Sequence, residues 1–175
     1  MALMPIVRVP HDVLRQKTKK VKKIDASIQK LIDDMIETMH DAPGVGLAAN
    51  QVGVGLRLCV IQVPGEDVVV LINPEIVKRS GTRQCEEGCL SLPGYKGVVP
   101  RSEKVVVKGL NRDGRPVRYH ADDLFAEIIE HETDHLDGHL YFDLLDSIDK
   151  LTPLRPDEDE DDEAEEEEVA AQEPS

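Results

Sequence analysis

Cysteine is scarce in this sequence. Cys59, Cys85 and Cys89 are spread irregularly over 175 positions, too few and too uneven for a disulfide framework. Residues Met1 to Pro10 lack the basic start and long apolar run of a secretory signal, and no stretch is long and apolar enough to cross a bilayer. These absences lead to the expectation of a cytoplasmic chain in a reducing compartment, where a thiol stays available as a metal ligand. Basic residues are missing where acidic ones are densest. From Pro156 onward there are twelve acidic residues and no Lys or Arg. Without them the formal net charge of -14 falls to about -2, with 23 acidic against 21 basic residues. The body therefore has no basic stripe of the kind nucleic-acid binding requires. Residues 156–175 have no aromatic and almost no apolar residue, so this tail is expected to be disordered. The remaining length, residues 1–155, suits one domain with one sizeable core.

Within that body two helices are legible. From Asp25 to Ala42, the apolar residues Ile28, Leu31, Ile32, Met35, Ile36 and Met39 recur on one stripe. Asp25 suits the N-cap and Pro43-Gly44 the stop. A glycine-rich stretch follows, Gly44-Val45-Gly46-Leu47-Ala48-Ala49-Asn50-Gln51. Short strand-like runs cover Leu56 to Gln62, Val68 to Ile72, Glu75 to Lys78, Lys104 to Leu110 and Pro116 to His120, with hairpin-turn chemistry at Asn111-Arg112-Asp113-Gly114. The second helix starts near Asp122 or Asp123, either of which can cap it. Leu124, Ile128, His131 and His135 lie on its buried side, with Glu132 at the margin. Glu127, Glu130, Asp134 and Asp137 form an acidic stripe opposite, and Gly138 suits the C-terminal stop. Strands and helices do not alternate regularly, so the expected class is α+β, with mixed or antiparallel strands around a central helix.

That helix ends in His131-Glu132-Thr133-Asp134-His135. Histidines four residues apart share a helix face and can hold one ion, and the glutamate beside the first can reach a water on it. Two unpaired imidazoles on a buried face would be costly to desolvate, which favours a metal. About forty residues upstream, Cys89 follows a glycine in the polar stretch Glu86-Glu87-Gly88-Cys89-Leu90-Ser91, where a thiolate could approach a cation. Cys59, in an apolar run, reads as a small buried hydrophobe.

Three segments, Gly44 to Gln51, Glu87-Gly88-Cys89-Leu90-Ser91 and His131 to His135, resemble the signature motifs of the peptide deformylase family in order and spacing, and the similarity covers roughly residues 5 to 148. The resemblance implies that Cys89, His131 and His135 bind one divalent metal, with water at the fourth position. It makes Glu132 the general base and later the acid. The Gln51 side-chain amide and the Leu90 backbone N–H would stabilise the oxyanion. Gly44, Val45 and Gly46 would admit a peptide that adds like an extra strand. The implied substrate is the N-formylmethionyl end of nascent chains in the bacterial cytoplasm. In family terms the metal is Fe2+, with Zn2+, Ni2+ or Co2+ able to fill the same ligands.

Two departures stand out. Glu130 occupies the place before His131 where the family usually has Gln; helix geometry points it away from the metal face, so a modest electrostatic effect is expected. Where many bacterial members continue into a basic helix linked to ribosome docking, this chain has its acidic tail, so only a transient ribosome association is left open. Two other readings stay open as well. One is a zinc endopeptidase, whose third ligand would normally lie downstream of His135. The other is a non-catalytic module whose structural site is closed by a fourth ligand, for which Cys85 is the nearby candidate. Cys85 otherwise reads as a partly exposed thiol. His11, His40, His120 and His139 read as surface or turn residues. Glu87 is expected to pair with Arg101 and brace the cysteine segment.

Overall fold

The computed structural model describes residues 2–154, so the acidic tail lies outside the described residues. Helix α1 spans Ala26–Asp41, and Asp25 caps it as expected, its carboxylate accepting from Ile28 N–H at 3.1 Å. Strands β1 (Gly46–Ala48), β2 (Leu58–Ile61) and β3 (Val69–Ser80) follow, then β4 (Arg83–Cys89), β5 (Leu92–Arg101), β6 (Lys104–Leu110) and β7 (Pro116–Asp122). Helix α2 (Asp123–Leu136) and a two-residue strand β8 (Thr152–Pro153) complete the order. Five strands form an antiparallel sheet in the order β1-β2-β3-β6-β7, and β4-β5-β8 form a second, smaller one. The α+β expectation with antiparallel strands therefore holds.

Strand alternation explains how one sheet serves both helices. Along β2, Leu58 and Val60 pack with Ile28, Ile32, Met35 and Met39 of α1, whereas Cys59 and Ile61 pack with Ala126, Ile129 and Leu136 of α2. Leu47 and Ala48 divide the same way, as do Ile72 and Leu71. A strand buried on both faces reads as a continuous apolar run, which is what Leu58–Ile61 is. Cys59 is such a core residue, with no exposed surface. The runs expected at 68–72 and 75–78 are one strand, β3, with a register shift at Asn73-Pro74. Asn73 takes φ 53 there, and its amide bonds both backbone groups of Val21 at 2.8 and 2.9 Å.

Four strands were not expected: β1, β4, β5 and the two-residue β8. The segment around Cys89, read as an irregular polar stretch, is the β4–β5 hairpin. Its inward positions include Cys85, Glu87, Val99 and Arg101, so the alternation is present but a buried ion pair occupies part of it. Part of the glycine-rich stretch is likewise a strand, β1, at the edge of the larger sheet.

Helix α2 differs from expectation in three respects. Asp122 stands at its N-cap without a side-chain capping bond. Leu124, placed on the buried face by periodicity, is an exposed residue on the wall of a cleft. The acidic stripe is not a solvated face, because each member meets an arginine: Glu127 with Arg83, Glu130 with Arg79, Asp134 with Arg101 and Asp137 with Arg57. Glu130 is buried and accepts from Ser102 N–H at 2.6 Å, so it pins the start of the β5–β6 connection to α2 rather than adding charge to a surface. Gly138 ends the helix at φ 82, and the Asn111–Gly114 turn closes through Gly114 N–H to Asn111 C=O at 3.0 Å, both as expected.

Candidate metal centre

One turn of α2 separates His131 and His135, and their Nε2 atoms stand 3.1 Å apart. The end of β4 brings Cys89 Sγ to 3.3 Å from His135 Nε2. All three donor atoms lie within 4.8 Å of one another. Donors bonded to one ion at about 2.0–2.3 Å are separated by distances of this order, so the set fits a small divalent cation. Among the described residues, this is the group of three ligand-type side chains that converges on a point.

The surrounding contacts fix which atoms face that point. His131 Nδ1 lies 2.7 Å from Glu87 Oε1, which leaves its Nε2 lone pair toward Cys89 and His135 in the neutral ring. Glu87 is itself held by Arg101, with Nε to Oε2 at 2.6 Å and Nη2 to Oε1 at 2.8 Å, as the sequence suggested. Arg101 also donates through Nη1 to Asp134 at 2.7 Å. Burial alone would raise the Glu87 carboxyl, but hydrogen bonds from Arg101 and His131 hold it down at about 2. The ring of Tyr141 stacks on His131, centroids 6.1 Å apart and planes 21° from parallel.

The two histidines are pushed in opposite directions. Burial drives His135 well below the usual range, with the charge of His131 adding to it. Burial opposes protonation of His131 too, yet its bonds to Cys89 and Glu87 raise it well above. Without an ion the proton is thus favoured on His131 and disfavoured on His135, and a cation held at Nε2 must displace it.

Glu132 lies beside these ligands, almost fully buried, and its Oε2 has no hydrogen-bond partner within the described protein. Burial pushes its carboxyl up to about 7. The carboxylate is pressed against Gly46: a Cβ built there would come within 2.7 Å of Oε1. Gly46→Ala should therefore displace the glutamate and, with Glu132 as the base that the resemblance implies, lower kcat about 10- to 100-fold while KM changes much less. A variant that raised KM while sparing kcat would show that the glycine serves substrate approach alone.

Gln51 is locked by its own neighbours. Its Oε1 accepts from Ala48 N–H at 3.0 Å, and its Nε2 donates to Ser91 Oγ at 3.1 Å and approaches Cys89 Sγ at 3.6 Å. Leu90 sits in the turn between β4 and β5 and lines the cleft, where a Cβ on Gly44 would meet its side chain at 2.8 Å. Gly44, Val45 and Gly46 line the same cleft, of about 430 Å³. Of the residues singled out in the sequence, Gly44, Val45, Gly46, Gln51, Cys89, Leu90, His131 and Glu132 border this one space, and His135, fully buried, reaches it through its contacts with Cys89 and His131. Ser91 and Tyr141 were not singled out individually. Ser91 lay within a recognised motif, and nothing in the sequence signals the stacking of Tyr141.

Cys85 is corrected in both its expected roles. It is buried rather than partly exposed, its thiol pushed up to about 11 chiefly by burial, and it does not belong to the converging group. His11, His40, His120 and His139 are all exposed and outside that group.

Comparison with known proteins agrees with this geometry. The family model described as polypeptide deformylase matches residues 3–151. A peptide deformylase of Dehalococcoides mccartyi (strain CBDB1) is 55% identical over 159 residues, covering 90% of this chain and 95% of that protein. The crystal structure of a peptide deformylase from Legionella pneumophila superposes with a TM-score of 0.82 at 42% identity, covering 99% of this chain and 100% of the other. A class I type b peptide deformylase from Acinetobacter baumannii, bound to Met-Ala-Ser, superposes with a TM-score of 0.80 at 32% identity, over 82% of this chain and 99% of that one. Likeness of this extent, in sequence and in fold, means that the chain belongs to the polypeptide deformylase family, hydrolases that remove the N-formyl group from new polypeptides.

Proposed function

We propose that Cys89, His131 and His135 hold one divalent ion, Fe2+ by preference and Zn2+, Ni2+ or Co2+ as substitutes, and that Glu132 is the general base and acid of deformylation. The observation that carries this reading is the convergence of the three donor atoms beside a buried, unpartnered carboxylate at a cleft. When bound, the ion supplies Lewis acidity, polarising the formyl oxygen and bringing the pKa of a water to about 7. Glu132, whose carboxyl burial raises to about 7 in the ion-free site, is placed to take a proton from the attacking water. It returns the proton to the amide nitrogen as the C–N bond breaks, leaving formate and a free amine. A cation held by these three residues would favour the ionised carboxylate.

The Gln51 amide is already oriented by Ala48 and Ser91, and its second Nε2 hydrogen, directed here at Cys89 Sγ, is the one that would turn to the developing oxyanion, together with Leu90 N–H. Each such donor contributes about 3 kcal/mol in the transition state. The formylmethionyl peptide lies along β1, an edge strand whose first residue Gly46 and lead-in Gly44 and Val45 line the cleft. That the Acinetobacter relative was crystallised with Met-Ala-Ser bound supports a peptide as the ligand.

On this reading residues 1–155 are the catalytic unit, residues 156–175 an acidic appendage, and the protein meets nascent chains in the bacterial cytoplasm, with at most transient ribosome contact. The metal assignment has a direct test. Protein purified without oxygen should carry about one iron per chain and lose activity in air as Cys89 oxidises, while Ni2+-loaded protein persists. Equal lifetimes in air would contradict iron. Cys85→Ser should leave the metal content intact, and its loss would favour a closed structural site.

A further inference from the structure

Among the described residues, four exposed large apolar side chains, Val45, Tyr95, Leu124 and Leu154, gather around one cleft. Three belong to elements that build the catalytic centre. Leu154 arrives from the far end of the chain. Its position is fixed by backbone pairing: Tyr95 opposes Pro153, Lys96 opposes Thr152, and Leu154 N–H donates to Gly94 C=O at 2.8 Å.

The strand that β8 joins is irregular at this place. Between the pairs Glu87–Gly97 and Cys89–Leu92, residue 88 on β4 faces residues 93–96 on β5. The surplus residues bow out as the lip of the cleft, with Gly94 at φ 84. From within, the lip is set by the close approach of Gly88, where a Cβ would stand 3.3 Å from Tyr95 C=O. From without, β8 supplies its hydrogen-bond partner. The short C-terminal strand thus holds a cleft wall in place and adds an apolar side chain to it that is 47% exposed.

We propose that Leu154 is a specificity-determining residue of the deformylase, covering an apolar side chain that follows the formylmethionine of the substrate. The proposal rests on the reading of this cleft as the peptide site. A half-exposed leucine gains by being covered, and Leu154 lines the same cleft as Val45, Gly46 and Leu90, where the peptide paired with β1 would lie. Covering about half of a leucine corresponds to a five- to tenfold effect on affinity.

Steady-state kinetics of the metal-loaded, full-length protein on formyl-Met-Leu-Phe and formyl-Met-Gly-Gly test it. Leu154→Ala should lower kcat/KM for the apolar peptide about five- to tenfold more than for the glycine peptide, with the difference falling on KM, and Leu154→Met should restore the preference. An unchanged ratio of the two peptides overturns the proposal, as does an equal loss on both. Equilibrium binding of the same peptides to the Glu132→Gln protein, with and without Leu154→Ala, keeps the two readings apart. If neither peptide is hydrolysed by the wild type, the reading of the site fails, while the Kd ratio still decides the role of Leu154.

Discussion

Glu132→Gln should reduce deformylation by about 10²- to 10⁴-fold and at the same time make the metal-free protein more stable. The two effects have one origin. The carboxyl is buried beside Gly46 with one oxygen unpartnered, which raises it from 4.5 to about 7. The folded protein therefore binds this proton more tightly than the unfolded chain does. Stability associated with the group is fully present below pH 4.5, declines as pH rises, and is lost above about 7. A shift of this size corresponds to about 3 kcal/mol. Glutamine keeps the shape without the titration, so the gap between variant and wild type should open between pH 5 and pH 8. Urea unfolding of both metal-free proteins at those two values reads it directly. Metal should narrow the gap, because a cation favours the carboxylate. A variant no more stable at pH 8 than at pH 5, relative to wild type, would contradict the burial argument.

Arg101→Leu should destabilise the fold by about 3–5 kcal/mol, the cost of leaving a buried charge without its partner. Arg101 and Glu87 side chains are 3% and 4% exposed, and their two-pronged contact is the inward pair of the β4–β5 hairpin. Since Glu87 also orients His131, metal affinity should fall about 10- to 100-fold, measured by competition with a chelator. The pH dependence separates this from simple loss of packing. Glu87 is depressed to about 2, so its contribution is present above 4.5 and lost as pH falls toward 2. In Arg101→Leu that acid-side loss should shrink, because burial then pushes the carboxyl up. Adding Glu87→Gln should recover at least about 1 kcal/mol by removing the stranded charge. A single variant destabilised by less than about 1 kcal/mol would show that the pair matters little to the fold.

What the sequence disclosed follows from where its signals are local. Both long helices and the doubly buried strand β2 announce themselves through apolar spacing, and the His131–His135 pair through helix geometry alone. The β4–β5 hairpin stayed hidden because two of its inward positions are Glu87 and Arg101, which read as polar until they are seen to neutralise each other across the strands. Glu130 looked like a surface substituent for the same reason: its partners, Ser102 and Arg79, come from distant segments. The chemistry of the site was legible as residue types, but its support was not. That Gly46 makes room for Glu132, that Ser91 orients Gln51, and that residue 154 reaches the cleft are consequences of tertiary placement. A two-residue strand such as Thr152–Pro153 carries no periodicity to detect.

The central claim is that Cys89, His131 and His135 assemble a metal centre for deformylation and not for cleavage of internal amides. Formate release from a formyl-Met peptide by protein purified without oxygen, with iron counted on the same sample, tests it most directly. The account predicts one formate per peptide, activity that tracks about one metal per chain, and no attack on an unblocked protein substrate. Formate release that survives complete removal of metal, or a metal-loaded protein that cuts the unblocked substrate and leaves the formyl group in place, would contradict it.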